Sequence, residues 1–162
     1  MLNDKVLIVA AHPDDEILGC GGTIAKWSKQ GKEINSIIMS EGATSRDNKR
    51  NYESRKSELS GLKNSANEAA KILGVSSIEF FDFPDNRMDS VDLLDVIKKI
   101  ENKIALFKPS MILTHHVGDL NIDHQIIHRA VITASRPQLN NSVKCLLAFE
   151  TPSSTEWQTS PS

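Results

Sequence analysis

The chain has 162 residues and a mass of 17.9 kDa, and a chain of this length buries roughly 68–70% of its unfolded surface, so one domain over residues 1–162 can fold without a disulfide or a structural metal. The 19 basic and 21 acidic residues give a net charge of −2, which offers no electrostatic reason to expect a nucleic-acid partner. The apolar runs are far shorter than the ~20 residues that span a bilayer, and the first residues show no signal-peptide pattern, so we expect a soluble, cytoplasmic protein without a transmembrane segment.

Short apolar runs alternate with helical patterns along the chain. In the first half of the chain, the patterns predict a strand over 6–11, a helix over 17–28 stopped by Gly31, a strand over 34–39, a polar stretch from Glu41 to about Glu58 and a helix over 62–73 ended by Gly74. In the second half, they predict a strand over 78–83, a helix from an N-cap at Ser90 to Phe107, a strand over 111–114, a helix over 123–134 and a strand over 143–149.

Strands separated by helices of this length indicate βαβ crossovers, and hence an α/β fold with a mainly parallel sheet and helices on both faces. In such sheets, ligands bind outside the carboxyl ends of the strands. The residues that directly follow each strand are therefore the first candidates for a functional site.

The first strand is followed by the run His12-Pro13-Asp14-Asp15-Glu16. An imidazole and two adjacent carboxylates are thus expected at the sheet edge, where a cation or the helix dipole must compensate the negative charge. The alternative to a functional site is that these acids only form the start of a helix, where Asp and Glu are common.

The fourth strand leads into a second polar motif, which runs from Thr114 to His124, and four of the five histidines lie between residues 115 and 128. Two histidines and a carboxylate with an open fourth position form a common catalytic zinc arrangement. His12, Asp15 and His124 supply this set and leave Asp14 free beside it. His128 is better explained as a satisfied core or surface residue.

The two motifs, His12 to Glu16 and Asp119 to His124, resemble those of the PIG-L/LmbE-like zinc-dependent de-N-acetylases. Residues 40–42, 83–87 and 153–157 also resemble segments of that family, so that the likeness covers essentially the whole chain. The resemblance implies a Rossmann-like three-layer fold and hydrolysis of the N-acetyl group of an N-acetylglucosamine-type sugar.

The resemblance also implies roles for individual residues. Zinc, or iron(II) as the alternative, would be held by His12, Asp15 and His124, and Asp14 would act as the general base. His115, His116 and Asn121 are the candidates nearest in sequence for stabilising the oxyanion. Asp123 has two interpretations, as a group that orients a ligand imidazole or as a helix N-cap.

The chain departs from the family pattern in two places. Several members carry a histidine where this chain has Asn121, so part of the catalytic role is expected to pass to His116. The family also continues beyond the segment at 153–157, so residues 151–162 are interpreted as the possible start of a missing C-terminal portion, in a fragment or a naturally short form.

Substrate contacts are predicted in the loop after the third strand, at Asp85, Asn86 and Arg87. A guanidinium at this edge can bind sugar hydroxyls or phosphate, whereas a salt bridge with Asp85 or Asp89 is the alternative. Five basic residues also lie in the loop after the second strand, either as a solvated loop or as a lid that attracts a phosphorylated or nucleotide-linked sugar; they are Arg46, Lys49, Arg50, Arg55 and Lys56.

Two other functions compete with the deacetylase. The glycines of residues 19–22 and the vicinal acids are weakly typical of a nucleotide-binding or receiver-like module. The short C-terminus is compatible with a metal-containing, inactive sugar-binding domain. Lipid-linked, nucleotide-linked, inositol-linked and oligomeric amino sugars all remain open as substrates, and a homo-oligomer is possible.

Overall fold

The computed structural model describes residues 4–139, 141–152 and 154–157, and these form a three-layer α/β sandwich. The central sheet has five parallel strands in the order β3-β2-β1-β4-β5. The strands are β1 (Lys5–Ala10), β2 (Glu33–Ser40), β3 (Ser77–Phe83), β4 (Met111–His115) and β5 (Cys145–Phe149).

Four helices connect the strands, and three short 3₁₀ turns follow β2, β3 and β5. The helices are α1 (Asp15–Lys29), α2 (Tyr52–Leu73), α3 (Leu93–Phe107) and α4 (Ile122–Ala134), and the turns are Thr44–Arg46, Met88–Ser90 and Thr155–Trp157. No helix in the described part of the chain is long and apolar enough to span a membrane.

The two faces of the sheet bury separate apolar clusters because side chains alternate along each strand. Val6 and Ile8 of β1 pack with Ile24 of α1, whereas Leu7 and Val9 pack against α3 and α4. This arrangement confirms the predicted α/β fold and shows that every strand of the described sheet is parallel.

The order of the strands in the sheet indicates where a ligand site is expected. β1 pairs in parallel with β2 on one side and with β4 on the other, so the order of the strands reverses at β1. In doubly wound sheets, ligands bind at such a reversal, outside the carboxyl ends of the two strands. The motifs after β1 and β4 therefore lie side by side.

Two boundary predictions were wrong. Helix α2 begins at Tyr52, inside the stretch predicted as a polar loop, because Asn51 caps it and its first turns carry charged side chains with few buried apolar ones. Ser90 does not cap α3, since its hydroxyl donates to the carbonyl of Arg87 within the preceding 3₁₀ turn and the helix begins at Leu93.

The glycines of residues 19–22 lie within α1 and not in the β1–α1 turn, which contradicts their interpretation as a dinucleotide loop. Gly19 instead permits close packing, because a Cβ at this position would overlap the ring of Phe149 in β5. Gly22 faces open space. Burial raises the pKa of the neighbouring Cys20 thiol to about 12, which fits a packing role for this residue.

Replacing Gly19 by alanine is expected to lower the free energy of unfolding by about 1–3 kcal/mol, since an extra methyl group overpacks the contact with Phe149. Gly22→Ala is the matched control, and its free energy of unfolding should stay the same or rise by up to about 1 kcal/mol through helix propensity. Urea unfolding of both variants checks this, and equal effects of the two substitutions would contradict it.

Candidate metal centre

The β1–α1 turn is pinned to the neighbouring strands by hydrogen bonds at its base. The amide of Ala11 donates to Nε2 of His115 at the end of β4, at 2.9 Å. The carbonyl of Ala11 accepts from the amide of Ser40 at the end of β2, at 2.8 Å. The residues that follow, His12 to Asp15, are therefore held at the centre of the sheet edge.

Asp14 occupies an unusual backbone conformation within this turn. Its φ angle is 153°, a region that residues other than glycine rarely adopt. It stands at the N-cap position of α1, yet its side chain makes no capping hydrogen bond. The carboxylate is exposed and lines the adjacent cavity. Backbone strain of this kind persists where the surrounding structure enforces it, and it is concentrated at functional sites.

Three potential ligand atoms form a nearly equilateral triangle beside Asp14. Nδ1 of His12 and Nε2 of His124 each lie 3.2 Å from Oδ2 of Asp15, and the two nitrogens are 3.3 Å apart. A tetrahedral zinc ion with ligands at about 2.0–2.1 Å separates neighbouring ligand atoms by about 3.3 Å. The three atoms thus have the spacing of one face of a tetrahedral site.

The opposite nitrogen of each imidazole contacts a buried carboxylate. Nε2 of His12 lies 3.0 Å from Oδ2 of Asp123 and 3.2 Å from Oδ1 of Asp85. Nδ1 of His124 lies 3.1 Å from Oδ2 of Asp119. Because a carboxylate accepts the N–H, these contacts leave the lone pairs of both rings directed at the triangle. The residues present therefore fit a zinc ion.

Two other groups of side chains have metal-like spacing, and each shares a histidine with the triangle. They are His115, Asp119 and His124, and His12, Asp85 and Asp123. In the first group, Nε2 of His115 already accepts the Ala11 amide. The second group has one imidazole, and backbone amides donate to both of its carboxylates, whereas the triangle has two imidazoles and one carboxylate, Asp15, which accepts the amide of His12. The triangle of His12, Asp15 and His124 is therefore the set that best fits a metal.

The two adjacent carboxylates of the turn have opposite pKa shifts. Burial acts against ionisation of Asp15, but its contacts with His12 and His124 outweigh burial and lower its pKa. Burial and the neighbouring Asp15 charge raise the pKa of Asp14. The pKa values of the two carboxylates thus move apart, a division typical of paired catalytic acids.

Asp123 contacts the ring of His12, and Asn121 is the cap of α4. The side-chain oxygen of Asn121 accepts from the amides of Asp123 and His124 at 2.9 and 3.4 Å, and its Nδ2 donates to Oδ1 of Asn86. Asp123 is fully buried and accepts from the amides of Asn86 and Met88 as well as contacting His12. The capping interpretation of Asp123 was therefore wrong.

His115 lies beneath the site and does not line the cavity. It is fully buried, and its ring stacks on that of His124 with centroids 3.8 Å apart and an interplanar angle of 16°. Burial lowers the pKa of His115 to about 3, so the ring is neutral. It supports His124 by packing, and the structure does not place it where an oxyanion could accept from it.

The C-terminal segment contributes contacts that the sequence did not indicate. The hydroxyls of Ser154 and Thr155 both donate to Oδ2 of Asp119, and that of Ser154 lies 3.3 Å from Nδ1 of His124. These two residues belong to the segment singled out at 153–157, of which Ser153 lies outside the described residues. A cluster of hydroxyl residues there was the available signal, but nothing in the sequence linked it to Asp119.

A cavity of about 610 Å³ opens above the triangle. Among the residues predicted for the site, the structure brings together seven at its wall: His12, Asp14, Asp15, Asp85, Asn86, Asn121 and His124. It does not bring His116 or Arg87 to this wall. The amide of Gly118 donates to Nδ1 of His116, at 3.1 Å.

The basic residues after β2 are mostly engaged in ion pairs. Arg50 makes two hydrogen bonds to Glu41, and Arg55 makes two to Asp47. Arg46 pairs with Glu58 and is the member of this group that lines the cavity.

The side chain of Arg87 anchors the same loop by binding main-chain carbonyls of that loop. Its Nη2 donates to the carbonyls of Asp47 and Asn48, at 2.8 and 3.4 Å. Within the described residues, it forms no salt bridge with Asp85 or Asp89, which corrects the alternative interpretation of this residue.

Comparison with curated proteins finds related deacetylases. The uncharacterized deacetylase YaiS of Escherichia coli is 31% identical over 155 residues, which are 91% of this chain and 74% of that protein. The probable N-acetyl-alpha-D-glucosaminyl L-malate deacetylase 2 of Bacillus cereus is 29% identical, over 80% of this chain and 60% of that protein. The chain thus spans three fifths to three quarters of these relatives.

Among solved structures, the 4-carboxy-2-hydroxymuconate hydratase GalB of Pseudomonas putida has the same fold, with a TM-score of 0.67 and 25% identity over 81% of this chain and 55% of that one. A family model described as "PIG-L: GlcNAc-PI de-N-acetylase" matches residues 7–135, which include the motifs after β1 and β4. By this match and by its likeness to YaiS, the chain belongs to the PIG-L de-N-acetylase family.

Proposed function

We propose that this protein is a zinc-dependent amidohydrolase that removes the acetyl group from an N-acetylglucosamine-type sugar. The observation that carries the proposal is the triangle of His12, Asp15 and His124, whose atoms stand 3.2–3.3 Å apart beside the carboxylate of Asp14. The deacetylases among its relatives support the reaction class. Iron(II) suits the same ligands and is the alternative metal.

The reaction adds water across the amide. The water oxygen bonds to the carbonyl carbon, the C–N bond breaks, and acetate and a free sugar amine leave. A zinc ion bound at the triangle would lower the pKa of water and polarise the carbonyl. Asp14 accepts the proton of the attacking water and delivers it to the departing nitrogen, so that no other acid is required.

Hydrogen-bond donors for the oxyanion are available at the cavity wall. The side-chain amides of Asn86 and Asn121 both line it, and Asn121 donates to Asn86 in the ligand-free arrangement. A substrate oxygen that replaces Oδ1 of Asn86 as the acceptor would receive the hydrogen bond of Asn121. We therefore assign this role to Asn121 ahead of His116, whose ring lies outside the cavity wall.

The likeness to a hydratase favours one alternative, in which the same centre adds water to a carbon–carbon double bond. An inactive sugar-binding domain is the other alternative. Measurement of acetate separates the deacetylase from both alternatives, because only the deacetylase releases it.

Asp14→Asn is expected to lower the rate of acetate release by about 10²–10⁴, since the amide cannot accept a proton. The zinc content of this variant should stay the same, because Asp14 is not a member of the triangle. Asp89→Asn, which neutralises an exposed carboxylate away from the cavity, is the control and should keep full activity. Unchanged acetate release in Asp14→Asn would contradict the role of Asp14.

Asp119→Asn is expected to weaken zinc binding about 10–100-fold, because the charged partner that fixes the ring of His124 is lost. Competition with a chromogenic chelator measures the affinity, and Asp89→Asn again serves as the control. Wild-type affinity in Asp119→Asn would show that this carboxylate does not orient the ligand.

A further inference from the structure

The cavity has a polar floor and an apolar mouth. Leu120 and Trp157 at the mouth are 58% and 66% exposed, and Ile122 is 38% exposed. Leu62 also lines the cavity, and these four residues are called the apolar rim. Single exposed apolar side chains are ordinary on a protein surface, but four that line one cavity offer apolar contacts to a ligand.

The four residues of the rim come from three separate parts of the chain. Leu62 belongs to α2, Leu120 and Ile122 belong to the start of α4 and the loop before it, and Trp157 belongs to the last 3₁₀ turn. They belong to neither of the two apolar clusters that flank the sheet. Their convergence at the cavity is therefore not explained by folding of the core.

The charges around the cavity do not favour an anionic substrate group. The cavity is lined by three carboxylates, those of Asp14, Asp15 and Asp85. Of the lysines and arginines in the described part of the chain, Arg46 is the one at the cavity wall. The guanidinium of Arg46 is already paired with Glu58. A phosphate would have to compete with Glu58 for this guanidinium, and the exposed carboxylate of Asp14 lines the same cavity.

The other candidate cations are also directed elsewhere. Arg50 and Arg55 bind Glu41 and Asp47, and Arg87 binds main-chain carbonyls of the loop. Lys49 and Lys56 do not contribute to the cavity wall. Arg50, Arg55 and Arg87 are thus engaged within the protein, and Arg46 is the member of the basic loop that reaches the cavity wall.

From these observations we infer that the substrate carries a neutral, apolar group on the amino sugar, and that this group contacts the rim of Leu62, Leu120, Ile122 and Trp157. This inference rests on the proposed function and specifies its substrate class. It selects against the phosphorylated or nucleotide-linked sugar that the basic loop had suggested. A volume of about 610 Å³ lies within the range of cavities that bind ligands larger than one sugar ring, about 300–1,000 Å³.

The test compares two conjugates of N-acetylglucosamine, the phenyl glycoside and the 1-phosphate, each in both anomeric forms and with the zinc-loaded protein. The phenyl glycoside is expected to have a kcat/KM for acetate release at least about tenfold higher than the 1-phosphate of the same anomer. A 1-phosphate that is hydrolysed as fast as the phenyl glycoside, or faster, would overturn the inference.

Variants of the rim locate the effect. Leu120→Asn and Trp157→Ala should lower kcat/KM for the phenyl glycoside about five- to tenfold more than for free N-acetylglucosamine, mainly through KM. Ile72→Asn changes an exposed apolar residue on α2 outside the cavity wall, and it should leave kcat/KM for both substrates unchanged. Equal losses on both substrates in the rim variants would overturn the role of the rim.

A binding measurement separates this inference from the proposed function. Calorimetry with the zinc-loaded Asp14→Asn variant compares the affinities of the phenyl glycoside and the 1-phosphate without turnover. Tighter binding of the phenyl glycoside supports the apolar rim even if the wild-type protein releases no acetate, an outcome that would refute only the deacetylase reaction. Tighter binding of the 1-phosphate would refute the rim, whatever the rate of deacetylation.

Discussion

The candidate metal site depends on the pairing of two imidazoles, those of His12 and His124, with buried carboxylates. Asp123 holds His12 and also accepts the amides that begin the turn after β3. Asp119 holds His124 and accepts the hydroxyls of the C-terminal segment. These two carboxylates therefore join four of the five loops of the sheet edge, and the positions of His12 and His124 follow from the fold as a whole.

This pairing also concentrates negative charge around the two imidazoles. Asp15, Asp119 and Asp123 are each at most 4% exposed, and Asp85 is 2% exposed. Several buried carboxylates around two imidazoles are costly unless positive charge compensates them. The carboxylates raise the pKa of His12 despite its burial, which favours a proton, and thus a positive charge, on this ring. A divalent ion at the triangle would supply it directly and displace the proton.

The sequence was sufficient to predict the strands, the parallel sheet and the two motifs at its edge, because buried strands and strand-end motifs are local patterns. It was insufficient where a residue acts through a distant partner. Asp123 could be a cap or an orienting group until its contact with His12 was known. Ser154 and Thr155 are 35 and 36 residues from Asp119 in the chain. The exposed start of α2 lacked the apolar periodicity that identifies a helix.

The central claim is that His12, Asp15 and His124 form one face of a tetrahedral zinc site. X-ray absorption at the zinc edge of the loaded protein tests it most directly. The account predicts one zinc per chain with two imidazole nitrogens and two oxygens, one from Asp15 and one from solvent, at about 2.0–2.1 Å. In the His124→Ala variant, the signal of one of the two imidazoles should be lost. A shell of six oxygens, a sulfur ligand, or an unchanged spectrum in His124→Ala would contradict the claim.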